Sequence, residues 1–214
     1  MAGYDELAAY AVRALNPERK AAVERHAGRV TVDVGCGNGS YVLQLGNDGR
    51  RLFGADGHRF EAWNVAPERF LMSDAARLPL APASVDTLLC FETLEHLPEP
   101  EGALREYRRV TRGRLVLTVP NCDVSEGMRR SNLTFGHYVD RTHRNFYELQ
   151  SVSAAVEAAG FRVIEAGYIN RIDVFAFLGE ALRLPAPAVR VLRKLLRPVV
   201  RPYPMTCLVV GEAA

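Results

Sequence analysis

Cysteine is scarce in these 214 residues: Cys36, Cys90, Cys122 and Cys207 are scattered, mostly in apolar runs, and no pair is spaced as CxxC. That pattern serves neither a disulfide framework nor a structural zinc site, and it reads as buried thiols in a reducing compartment. A surplus of one charge is lacking too. Lys and Arg number 27 against 25 Asp and Glu, a formal +2, and there is no basic groove or interleaved aromatic tract of the kind nucleic acid requires. No apolar run approaches the roughly 18 residues that suggest a bilayer span. Met1–Glu6 is acidic and lacks the basic and apolar parts of a secretory leader, so a cytoplasmic location is expected. Internal repeats and low-complexity tracts are missing as well.

What is present suffices for a core: 48% of the residues are hydrophobic, and one domain over 1–214 is expected. Residues 5–26 read as helix in two pieces, interrupted near Asn16-Pro17. Arg29 to Val34 is a β-branched run ending in Gly35-Cys36-Gly37-Asn38-Gly39, and Ser40 to Leu45 should open a helix. Further strands are expected over Arg51 to Ala55, stopped at Asp56, over Arg69 to Met72, Val85 to Phe91 and Leu115 to Val119, with a helix over about 99–109. This alternation predicts an α/β fold, a parallel sheet with helices on both faces. Ligands of such sheets bind beyond the carboxyl ends of the strands, where Gly35, Asp56, Asp74, Glu92 and Asn121 fall. The period is lost over 122–145, a polar stretch long enough to serve as a lid or binding element. Glu148 to Ala159 restores helical spacing, Phe161 to Ala166 is strand six, a helix covers 188–197, and Thr206 to Val210 is the last strand.

Spacing separates the glycine turn from two common nucleotide loops. A G-x-G-x-x-G fingerprint would need glycine where Ser40 stands, and no Gly-Lys-Ser/Thr follows for a Walker A loop. Asp33-Val34-Gly35-Cys36-Gly37-Asn38-Gly39 resembles instead the first motif of the class I S-adenosylmethionine-dependent methyltransferases, and the likeness extends over 28–168 and more loosely over 203–211. The resemblance implies a Rossmann-like three-layer sandwich, a seven-stranded, mostly parallel sheet with an antiparallel last strand, and S-adenosyl-L-methionine as cofactor. Asp33, Gly35, Cys36, Gly37 and Gly39 would pass its amino-acid portion. Asp56 would accept from both ribose hydroxyls, an ionised carboxylate being purely an acceptor. Asp74 and the Ala75 amide would read the adenine edge, and Phe91 and Glu92 would border the methionyl part. Gly57 and His58 stand where the family often has an apolar residue against adenine. His58 or Phe60 is a candidate to stack there, while Trp63 reads as packing.

The stretch Phe91-Glu92-Thr93-Leu94-Glu95-His96 narrows the likeness to small-molecule enzymes of the quinone-precursor type. In some of these, residues matching Glu92, Glu95 and His96 hold a divalent metal. A capping or packing role for His96 is the leading reading here, and no metal is expected. No Asn/Asp-Pro-Pro-Tyr/Phe follows strand four, which opposes DNA adenine methylation. Acceptor contacts are expected from Tyr138, His143, Arg144 and Phe146, with a polar network pinning the loop as the alternative. A base is optional for methyl transfer; the candidates, in order, are His143, His137 and His96. The acceptor is expected to be a small molecule or a lipid-linked intermediate, oxygen favoured, with a noncatalytic S-adenosylmethionine-binding regulatory or assembly protein as the rival.

Residues 181–201 hold Arg183, Arg190, Arg193, Lys194, Arg197 and Arg201 and no acid. On a helix, Arg190, Arg193, Lys194 and Arg197 share one side, and Val191, Leu192, Leu195, Leu196 and Val199 form an apolar band. A buried band with solvated arginines is the leading reading. Peripheral attachment to an anionic membrane, at its inner face, is the alternative, and closure over an acidic substrate is a third.

Overall fold

A computed structural model describes residues 14–45, 49–123, 126–130, 140–200 and 203–214. The chain enters through α1 (Pro17–His26), whose start is fixed by Pro17 in the first turn and by Asn16, whose side chain accepts from the amides of Glu18 and Arg19. There follow β1 (Val30–Val34), α2 (Ser40–Leu45), β2 (Arg51–Asp56), β3 (Phe70–Met72), β4 (Val85–Phe91), α3 (Pro100–Val110), β5 (Thr111–Pro120), α4 (Glu126–Arg130), α5 (Leu149–Ala158), β6 (Phe161–Arg171), α6 (Val174–Ala181), α7 (Ala186–Leu196) and β7 (Pro204–Ala213). Short 3-10 turns at Glu61–Val65, Pro67–Arg69 and Leu94–His96 shape the loops after β2 and β4.

The strands form one seven-stranded sheet in the order β3-β2-β1-β4-β5-β7-β6. β1 pairs in parallel with β2 and β4, β2 with β3 and β4 with β5, whereas β7 runs antiparallel to both its neighbours. Side chains alternate across such a sheet. Leu88, Cys90, Leu115, Leu117 and Val119 therefore meet α3 and α5 through Leu104, Tyr107, Val152 and Val156 on one face. Leu89, Phe91 and Val116 meet Ala22 and Val23 of α1, with Tyr41 and Leu45 of α2, on the other. These three layers, and the antiparallel last strand, are those the resemblance implies.

Several bounds differ from the apolar runs. β5, β6 and β7 all outrun them because the antiparallel ladder β5-β7-β6 continues pairing as far as Arg114 with Glu212 and Arg171 with Pro204, where one side of the ladder is wet. Of the expected helices over 5–26, only Pro17–His26 lies within the described residues. The apolar band of α7 corrects an expectation: Leu192 and Leu196 are half-buried, but Val191 is 58%, Leu195 69% and Val199, just past the helix, 73% exposed. The arc of α7 turned toward α6 packs on it, Val189 meeting Gly179.

Leu117 is fully buried at the centre of the larger core. Leu117→Ala is expected to lower unfolding stability by about 2–5 kcal/mol in urea titration, and Leu195→Ala, removing an exposed side chain, by less than about 0.5 kcal/mol.

Candidate functional site

The loop from β1 to α2 lies at the carboxyl edge of the sheet. Gly35, Gly37 and Gly39 all have positive φ, at 74°, 53° and 77°, a region costly for other residues. Two of them are also walled in: a Cβ on Gly35 would lie 2.1 Å from Thr93 Oγ1, and one on Gly39 2.4 Å from the Phe70 ring. Gly37 differs, having nothing within 4 Å of such an atom, so its backbone faces open space. The loop is tied inward through Gly35 and Cys36, whose amides donate to Ala55 O, through Gly39 N–H to Cys36 O, and through Trp63 Nε1, which donates to Gly37 O at 2.8 Å. Trp63 is buried and stacked on Phe70 at 5.0 Å. The Cys36 thiol is pushed far above its usual range by burial, then by Asp33 and Asp56, so its part in the site is its backbone.

Carboxylates gather around this loop. Asp56, ending β2, accepts from Gly37 N–H at 2.9 Å with one oxygen and from His58 N–H at 3.0 Å with the other, each oxygen keeping a further lone pair. Asp33 is 3% exposed, and its carboxyl is raised to about 8 by burial first and by Asp56 second, with Arg19 acting in the opposite direction. Glu92 has a left-handed backbone, φ 49°, just after β4, strain of the sort that concentrates at functional positions. Its side chain meets Arg19 of α1 at 2.6 Å, and the Arg19 guanidinium also lies 5.8 Å from the centre of the Phe91 ring. Phe91 is buried and tilted against Tyr41 at 5.0 Å. Asp74 is exposed after β3 and accepts from Ala76 N–H rather than from Ala75. Gly57 is exposed and open, His58 is exposed, and Phe60 packs 6.0 Å from Trp63.

A second group forms where segment 140–145 docks on the turn Leu94–His96. The amides of Arg144 and Asn145 donate to Glu95 O, and Asn145 Nδ2 donates to Leu97 O at 2.7 Å. This brings the His96 and His143 rings edge to face at 4.6 Å. Thr142 Oγ1 donates to Asp140 Oδ1 at 2.6 Å, so toward His96 Nδ1, 3.0 Å away, it acts as acceptor. Nδ1 is then the protonated nitrogen of His96, and Nε2 carries the lone pair. Burial, followed by His143, lowers the His96 pKa. His143 Nε2 lies 3.6 Å from Asp140, with a side chain only 9% exposed. Glu95 is 1% exposed, neither of its oxygens has a hydrogen-bond partner among the described residues, and its carboxyl is pushed up to about 9 by burial and by Glu92.

Glu95, His96 and His143 each place one ligand atom within 4.8 Å of the others. The trio departs from the set that the resemblance names for some quinone-precursor enzymes, since Glu92 is turned to Arg19 and His143 stands with Glu95 and His96 instead. It is also wider than the ligand spacing of about 3.4 Å that bonds near 2.1 Å impose around one tetrahedral ion. Arg144 and Phe146 are exposed at the rim of this group. His137 and Tyr138 lie outside the described residues.

Sequence reasoning missed Arg19, Thr93, Asn145 and the clamp of Trp63 on Gly37. Only the tertiary fold brings Arg19 to Glu92 and Asn145 to Leu97, so no local pattern marks them. The floor under Gly35 was hinted at by Thr93 directly following Glu92.

Residues 32–119 match a family model described as a methyltransferase domain. The ubiquinone biosynthesis O-methyltransferase of Methylococcus capsulatus is 29% identical over 114 residues, covering 47% of this chain and 48% of the relative. The chain thus spans about half the length of that curated relative. Among solved structures, an S-adenosylmethionine-dependent methyltransferase from Archaeoglobus fulgidus superposes with a TM-score of 0.67 at 18% identity, covering 98% of this chain and 100% of the other. Magnesium protoporphyrin IX methyltransferase from Synechocystis PCC 6803, with bound S-adenosylhomocysteine, gives 0.59 at 16% identity, over 99% and 93%. These structural likenesses bear on the fold.

The raised carboxyl of Glu95 has a consequence for stability. Its pKa is higher in the folded than in the unfolded chain, so folding takes up a proton between about pH 4.5 and 9. The contribution is fully present below the unfolded value and is lost as pH rises through the folded one, at up to about 1.4 kcal/mol per pH unit. Glu95→Gln is expected to flatten this fall in urea titrations at pH 5 to 9 and to leave the variant the more stable protein at pH 9.

Proposed function

We propose that this chain, a member of the class I S-adenosylmethionine-dependent methyltransferase family, binds S-adenosyl-L-methionine along the glycine loop and methylates a small-molecule or lipid-linked acceptor, oxygen favoured. The observation that carries this reading is the cluster of carboxyl groups at the loop. Asp33, Asp56 and Glu92 converge there with Arg19 as the cation facing them, and burial first and Asp56 second raise the Asp33 carboxyl to about 8 against the pull of Arg19. A dinucleotide would bring a pyrophosphate of the wrong sign; an ammonium and a sulfonium bring the right one.

In this assignment Asp33 receives the amino group, and Gly35, Cys36, Gly37 and Gly39 let the backbone pass close, with the open face of Gly37 as the point of approach. Asp56 turns its remaining lone pairs to the ribose, Gly57 leaves room beside the base, Asp74 and Ala75 read the adenine edge, and Phe91 with Glu92 closes the methionyl side. S-adenosylmethionine, when bound, supplies an electrophilic methyl on a positively charged sulfur. The chain's part is to align the acceptor behind that methyl and to exclude water. His96 is the better placed base, ahead of His143, because Thr142 and Asp140 hold it as the tautomer with a free Nε2. His143, Arg144 and Phe146, with His137 and Tyr138, are assigned to the acceptor side.

The O-methyltransferase name of the Methylococcus capsulatus relative supports oxygen. No helix of the described residues is long and apolar enough to cross a membrane. A lipid-linked acceptor fits a cytoplasmic protein held peripherally at the inner face of a membrane through 181–201, with nucleic acid outside its range.

Calorimetry tests the cofactor assignment. Deprotonation of Asp33 should favour a cationic ligand, so affinity for S-adenosylmethionine is expected to tighten from pH 6 to 8, by at most about tenfold per pH unit, and Asp33→Asn to abolish the trend. Asp56→Ala is expected to weaken binding by about tenfold or more, as loss of charge-assisted hydrogen bonds does. Labelled methyl donor incubated with cell extract should mark an acceptor. His96→Ala is expected to lower that turnover by about 10²–10⁴-fold with cofactor affinity unchanged, and equal loss of cofactor binding would reject the role. Tight S-adenosylhomocysteine binding with no transfer to any extract would favour the noncatalytic rival.

A further inference from the structure

The segment between β6 and β7 is a helical hairpin with an unusual balance of charge. Gly179 of α6 lets α7 come close, since a Cβ there would lie 2.6 Å from Val189 Cγ2. Beside this contact opens a cleft of about 750 Å³ lined by Arg171, Phe175, Arg190, Arg193, Lys194 and Arg197, with Asp173 as the acid among them. Asp173 is already engaged at both oxygens: one caps α6 through the amides of Phe175 and Ala176, and the other meets Arg193 at 2.6 Å. Arg190, Lys194 and Arg197 have no carboxylate partner among the described residues. Like charges gathered in one cleft repel unless an anion sits among them, and the guanidinium fork matches phosphate oxygens in pairs.

A second feature adjoins this cleft. Val191, Leu195 and Val199 follow at intervals of four, so they form one outward stripe beside Lys194, and all three are more than half exposed. Phe177 and Leu182, each 62% exposed, extend the apolar surface along α6 and the turn. Five of the nine large apolar side chains exposed among the described residues thus fall on this one hairpin. Cations flanking a bare apolar stripe, on a helix that itself carries no acid, are the makeup of a helix lying in a lipid headgroup region.

We infer that α6 and α7 form a docking surface for an anionic lipid bilayer, the cleft taking lipid phosphate and the stripe Val191, Leu195 and Val199 entering the acyl boundary. β6 runs parallel to β5, so Arg171 leaves the sheet at the edge where the glycine loop lies. The root of the hairpin is also bound to the site: Asn170 N–H donates to Glu18 of α1 at 2.7 Å, and the next residue, Arg19, meets Glu92. Docking through this hairpin brings the membrane to a segment rooted at the carboxyl edge. That consequence, an acceptor drawn from the bilayer, rests on the methyl-transfer reading; the docking itself does not.

Co-sedimentation of the full chain with phosphatidylcholine vesicles, with and without phosphatidylglycerol, tests this. Binding is expected to require phosphatidylglycerol, to weaken with salt, and to resist competition by free glycerol phosphate. A variant with Arg190→Ala, Lys194→Ala and Arg197→Ala, and separately Leu195→Asp, should each lose about tenfold or more in vesicle affinity, roughly 1.4 kcal/mol, with S-adenosylhomocysteine binding intact as the check on folding. Failure to bind either vesicle, equal binding to both, or undiminished binding by the triple variant would overturn the proposal. Vesicle binding by a wild-type chain that takes no S-adenosylhomocysteine would uphold it while ending the methyl-transfer reading.

Discussion

A buried carboxyl beside a turn in which Gly35 and Gly39 have no room for a side chain is the constraint from which the rest of the site follows. Asp33 is the penultimate residue of β1, so its carboxyl is fixed inside the sheet edge. The chain must then leave without carrying a Cβ into Thr93 or Phe70. Ala55 and Trp63 hold the loop down, and Asp56 is drawn in to cap the Gly37 amide. Each of these contacts is ordinary, but together they place a second carboxylate beside the first. Burial and Asp56 together raise the Asp33 carboxyl, and in the proposed assignment a cationic ligand would relieve that cost.

The N-terminal helix completes this arrangement from a distance. α1 packs Ala22 and Val23 against the face that holds Phe91 and Val116, and its first turn is anchored by the Asn16 cap and by the Asn16 and Glu18 contacts to Asn170. Those anchors fix the rotation of the helix, which delivers Arg19 onto Glu92 and over the Phe91 ring. Glu92 could not take its left-handed backbone cheaply without such partners: its amide also bonds Thr118 O at the end of the sheet. One cation thus pairs with Glu92, and at Asp33, deeper in, its pull is outweighed by burial and by Asp56.

The sheet was legible because period-two and period-3.6 patterns are local, and the alternation of β1 to β5 with helices leaves few topologies. The glycine loop was legible for a similar reason: three glycines in five residues, after a β-branched run and an Asp, report backbone angles that few other residues adopt. Arg19, Asn145 and the tautomer of His96 were not, since each depends on which surfaces meet. The apolar band of α7 shows the limit from the other side. Its spacing was read correctly and its burial was not, because periodicity says that a helix has two faces and nothing about whether a neighbour covers one of them.

Direction along the sheet links these parts. In parallel strands every carboxyl end lies on one edge, so the loops after β1, β2, β3 and β4 must share a crevice. The switch to an antiparallel β7 sends the chain back and lets β6 end on that same edge. An insertion between β6 and β7 therefore cannot land on the far side of the molecule: wherever it packs, its root is beside the crevice. In this chain the insertion carries the exposed apolar stripe and the basic cleft. The group of Glu95, His96 and His143, just past β4, lies on that same edge, so in the proposed reading the acceptor side and the glycine loop share one crevice. On that proposal, the polarity of a single strand decides whether an acceptor held at the hairpin shares an edge with the glycine loop.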